Sequence, residues 1–69
     1  MRTYGKLRER IRSKFKTIEA FADALEISRS ALSRKLNGIS AWSQSEIEKS
    51  CSLLGISITQ VGEYFFYDE

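Results

Sequence analysis

Four side chains within one short stretch have the types and spacing to do recognition chemistry. Arg29, Ser30, Ser33 and Arg34 lie one, three and one residues apart, which on a helix gathers them on one side. Leu32 and Leu36 fall on the other side. Arginine can donate two parallel hydrogen bonds to guanine O6 and N7, each good pair giving ~1–3 kcal/mol of discrimination. Serine hydroxyls donate or accept and read less sharply. A short exposed helix carrying these groups has the chemistry to read the edges of DNA bases in a major groove. Lys35 and Asn37, beside them, are expected to hold the DNA backbone. Thr17 and Ser28 stand at helix starts, where free amides attract anions, and are assigned backbone contacts as well. The plainer reading is that both arginines are solvated surface charge and that Ser28 only caps its helix.

The elements that must position these groups follow from local patterns. Leu7, Ile11 and Phe15 recur every four residues and predict a first helix over about 4–15. Thr17 caps a second over 18–25, with Phe21, Ala22 and Leu25 facing inward. Ser28 caps a third over 29–37. Ile27 and Leu32 have hydrophobic-staple spacing, and Gly38 supplies a left-handed stop. Only Glu26 and Ile27 separate the second helix from the Ser28 cap. So short a connection makes the helices cross steeply, forming a helix-turn-helix that presents its second helix outward. Ser43 with Glu46 matches a capping box, and Trp42 with Ile47 a staple, so a fourth helix is expected over 44–54. It buries Ile47, Cys51 and Leu54, leaves Ser50 and Ser52 outside, and ends at Gly55. Trp42 fits a staple better than a base-stacking platform. Thr59 opens a final helix over 59–65, and some of Tyr64-Phe65-Phe66-Tyr67 must pack on the core or on another subunit. The expected fold class is all-α: five helices around one core, a single domain over residues 1–69.

Charge is divided unevenly along the chain. Residues 1–38 hold ten Lys/Arg against four Asp/Glu, a balance of +6, while residues 39–69 hold Lys49 against five acids, a balance of −4. One half can face a polyanion while the other turns away. The alternative is a solvated basic helix that contacts nothing. A chain of 69 residues is marginal as a lone domain, and dimerisation would help it. Cys51 is the one cysteine, which excludes an internal disulfide and suits a small core hydrophobe. There is no histidine, no glycine-rich phosphate loop and no metal-ligand cluster, so neither catalysis, a metal nor a cofactor is expected. No apolar run is long enough to span a bilayer and no signal-peptide pattern opens the chain. The expected location is the cytoplasm of a bacterial host, at the nucleoid.

The segment from Ile18 to Gly38 resembles the helix-turn-helix of the phage-repressor and Cro superfamily, the lambda-repressor-like DNA-binding domains. The residues that carry the likeness are Phe21-Ala22, Ile27-Ser28, Leu32 and Asn37-Gly38. It extends to Tyr4, Leu7-Arg8, Arg10-Ile11, the run from Trp42 to Glu48, Leu53-Leu54-Gly55-Ile56 and Tyr64-Phe65-Phe66, which look like short Cro- or repressor-like proteins of phages and prophages. The resemblance implies a five-helix domain that occupies double-stranded operator DNA, usually as a two-fold homodimer. It places Arg29, Ser30, Ser33 and Arg34 at base-reading positions, and Thr17 and Asn37 near backbone contacts. Two residues depart from the pattern. Glu26 stands at the usual turn glycine, and Ile18 where a phosphate-binding glutamine is common. Two functions follow: a transcriptional regulator that occupies operator DNA, or a small modulator that binds a partner repressor protein.

Overall fold

The computed structural model describes residues 4–66, which form five α-helices. They are α1 (Gly5–Phe15), α2 (Ile18–Leu25), α3 (Arg29–Leu36), α4 (Gln44–Leu54) and α5 (Val61–Phe65), with a 3₁₀ turn at Ile58–Gln60 leading into α5. Each predicted helix is present. The inward stripes meet in one core: Leu7 and Ile11 of α1, Phe21, Ala22 and Leu25 of α2, Leu32 and Leu36 of α3, Cys51 and Leu54 of α4, then Ile56 and Phe65. Phe15 is half-buried and meets the Phe21 ring at 5.2 Å.

The capping residues act as their types require. Thr17 Oγ1 accepts from Ala20 N at 3.1 Å and Ser28 Oγ from Ala31 N at 3.1 Å. Ser43 and Glu46 complete a reciprocal box at the start of α4. Gly38 (φ 76°) and Gly55 (φ 67°) take the left-handed conformation that lets α3 and α4 stop. The link between α1 and α2 is tighter than the sequence suggests. Lys16 has φ 72° and ψ −42°, and Thr17 N donates to the Phe15 carbonyl at 2.8 Å. This is a γ-turn on a non-glycine residue, a strained conformation that brings α2 back against α1 within two residues.

Three local expectations are corrected. Ser50 does not lie on the outer side of α4 but is fully buried. It falls three residues after Ile47 and four before Leu54, which puts it on the core face. Thr59 does not open the last helix. Ser57 does, its backbone N–H donating to Gln60 Oε1 at 3.1 Å, and the α-helix proper begins at Val61. Of the aromatic tail, Phe65 is buried, Tyr64 half-buried and Phe66 54% exposed; Tyr67 lies outside the described residues.

Two arginines of the basic first helix serve the fold. The last carbonyls of a helix lack partners within it and carry its negative dipole end. Arg8 Nη2 donates to the Leu36 carbonyl at 2.7 Å and to Asn37 Oδ1 at 2.9 Å, at the end of α3. Arg10 donates to the carbonyls of Leu54 (2.9 Å) and Gly55 (3.3 Å), at the end of α4. So α1 clamps the C-termini of two other helices.

Candidate recognition face

The turn between α2 and α3 sets the angle of the exposed helix. Ile27 N donates to the Ala22 carbonyl at 3.1 Å and Glu26 N to that of Asp23 at 3.1 Å, closing α2 over a left-handed residue. That residue is Glu26, with φ 63° and ψ 38°. It therefore keeps the backbone of the turn glycine it stands in for, at the strain that a side chain imposes there. Its carboxylate is not idle. Lys49 Nζ of α4 donates to it at 2.8 Å, and this hydrogen bond with the ammonium charge holds the carboxyl below its ordinary value. Ile27 is half-buried against the core and Ser28 starts α3.

Arg29, Ser30, Ser33 and Arg34 are all exposed on α3. They share a cleft of about 550 Å³ with Arg8 of α1, Ile18 at the start of α2, and Leu36. No aspartate or glutamate is among its lining residues. Ser33 Oγ accepts from Asn37 Nδ2 at 3.5 Å, and Asn37 Oδ1 in turn accepts from Arg8, so one polar chain runs from the helix face back to α1. The four α3 residues singled out by their spacing thus share one cleft. Arg8 and Ile18 join them there only through the tertiary fold: the partners of Arg8 lie 28 and 29 residues away and leave no local signal.

The four residues assigned to backbone contacts are not brought together. Thr17 and Ser28 are exposed, each spending its hydroxyl on its own helix cap. Asn37 is tied to Arg8 and Ser33. Lys35 lies away from the cleft. Its side chain is 12% exposed, and its ammonium donates to the Ala41 carbonyl at 2.9 Å and pairs with Glu46 Oε1 at 2.9 Å. It thus joins α3 to the start of α4 instead of reaching outward. Burial pushes the Glu46 carboxyl up, but hydrogen bonds from Ser43 and Lys35 outweigh it and hold the group below its ordinary value. Trp42 is part of the core wall, meeting Phe65 edge-on at 5.1 Å, and offers no open stacking platform.

Residues 2–68 match a family described as protein of unknown function (DUF739). The chain belongs to this family. A solved relative shares the fold of this DUF739 chain: the solution structure of the modulator of repression (MOR) of the temperate bacteriophage TP901-1 from Lactococcus lactis. The two are 32% identical with a TM-score of 0.84, over 94% of this chain and 88% of the other. No curated protein matches the chain. The likeness is thus to a modulator of repression, whereas the sequence motifs alone resemble Cro proteins and repressors. No helix among the described residues is long and apolar enough to cross a membrane.

Proposed function

We propose that this chain is a phage or prophage regulator that modulates repression by binding a partner repressor protein. The observation that carries the reading is the likeness to the phage modulator of repression, which spans nearly the whole of both chains. In this reading the regulator needs no chemistry of its own: it occupies a surface of the repressor and changes the repressor's hold on its operator.

The test is a mobility-shift titration with a candidate repressor from the same phage or prophage genome and its operator. Adding the chain to a repressor–operator complex is expected to change the fraction of DNA bound, while the chain alone leaves the operator unshifted. If the chain shifts the operator by itself and the repressor's occupancy is unaffected, the reading is wrong.

A second reading has one observation in its favour. Arg29, Ser30, Ser33 and Arg34 are exposed together in an acid-free cleft, as direct operator binding through α3 requires. In that case α3 enters the major groove, Thr17 and Ser28 lie near phosphates, and a homodimer would span half-sites about 34 Å apart. Binding by the chain alone would then fall steeply with salt.

A further inference from the structure

The cleft on α3 has walls and a floor of different chemistry. Arg29 and Arg34 rise from α3 and Arg8 from α1. The Arg8 guanidinium is held by the Leu36 carbonyl and Asn37 Oδ1, so its charge is fixed in place before a partner arrives. Besides the arginines the lining holds the exposed hydroxyl residues Ser30 and Ser33, the aliphatic side chain of half-buried Ile18, and Leu36, which is itself buried.

This mixture suits a carboxylate-bearing peptide better than a duplex. A guanidinium takes phosphate and carboxylate equally well, so the arginines do not choose. The surroundings do. Half to two-thirds of protein–DNA hydrogen bonds go to phosphate and sugar. Here the flanking groups suited to that work are already engaged: Lys35 with Ala41 and Glu46, Asn37 with Arg8 and Ser33. At the start of α2, where amides would meet a phosphate, Ile18 adds an apolar side chain and no donor. Resting on the proposal that the partner is a protein, we infer that the cleft seats an acidic amphipathic segment of that partner. Its carboxylates pair with Arg29 and Arg34, and an aliphatic side chain lies against Ile18. A cleft of about 550 Å³ holds a few side chains, which makes it an anchor within a larger contact.

The experiment uses isotope-labelled full chain followed by amide NMR. The probes are a short peptide of glutamates and leucines, the same peptide with glutamine for every glutamate, and a short DNA duplex. The acidic peptide is expected to shift the amides of Ile18, Arg29, Ser30 and Ser33 and to bind about tenfold or more tightly than its glutamine counterpart. The double variant Arg29→Gln/Arg34→Gln is expected to lose that preference while keeping its thermal midpoint. Equal binding of the two peptides, shifts elsewhere on the molecule, or tighter binding of the duplex at these amides would overturn the inference. The candidate repressor from the same phage or prophage genome is titrated in parallel. If it binds the double variant as well as the parent, the cleft assignment fails and the regulator reading stands. If it does not bind while the acidic peptide still seats on these amides, the regulator reading fails and the cleft chemistry stands.

Discussion

Replacing Ser50 with alanine is expected to stabilise the protein. The Ser50 side chain is fully buried, and its hydroxyl has no hydrogen-bond partner among the described residues. A buried hydroxyl without a partner costs about 1–3 kcal/mol relative to water. Alanine removes that cost, and in mid-helix it also exceeds serine in propensity by up to ~0.7 kcal/mol. Against this stands the loss of one oxygen's packing, a handful of contacts at about 0.1–0.2 kcal/mol each. The balance favours Ser50→Ala by about 1 kcal/mol or somewhat more. In a domain of this size, each kcal/mol moves the thermal midpoint by roughly 4–8 °C. Calorimetry or a circular-dichroism melt of parent and variant reads this directly. A midpoint that stays put or falls would show that the hydroxyl is satisfied in solution, and with it that the packing around α4 differs from that described.

Three further predictions follow from named contacts. Arg8→Met keeps much of the aliphatic stem but leaves the Leu36 carbonyl without its charged donor. It should cost about 1.5 kcal/mol, the low end for such a bond because its neighbour Asn37 is exposed, and should speed amide exchange at the end of α3. Leu32→Ala opens a cavity at a fully buried position and should cost about 2–5 kcal/mol by urea unfolding, or unfold the domain outright. The Glu46 carboxyl is held below its ordinary 4.5 in the folded state, so its contribution to stability is fully present above that value. It is lost as pH falls through the lower folded value. Lys35→Met removes one of the hydrogen bonds responsible, so stability should fall less in that acid window than for the parent; equal acid sensitivity would show that Lys35 does not set the Glu46 value.

What could be read from the residues divides by distance along the chain. Helix starts at Thr17, Ser28 and Ser43, the stops at Gly38 and Gly55, and the core stripes from Leu7 to Leu54 depend on neighbours within about one turn, and each was legible. The γ-turn at Lys16 was not, because it is imposed by the packing of α2 against α1 and not by lysine's own preference. The roles of Arg8 and Arg10 were hidden for a similar reason. In sequence they are two of many alternating basic residues, and only the tertiary fold brings them to the ends of α3 and α4. The inward turn of Lys35 is not legible in the sequence, because its partners, Ala41 and Glu46, lie across a loop whose path the sequence does not specify. The residue type of Ser50 suggests the outer face, whereas its spacing from Ile47 and Leu54 points inward, and the spacing prevails. The partner class was the hardest to read, since the guanidinium groups that recognise a guanine or a phosphate also recognise a carboxylate.

The most direct test of the central proposal is sedimentation velocity on a candidate repressor from the same phage or prophage genome, mixed with this chain in the complete absence of DNA. A discrete complex heavier than either component, formed at micromolar protein, is the expected result. Two species that sediment independently, with the chain joining a complex only once operator DNA is added, would contradict it.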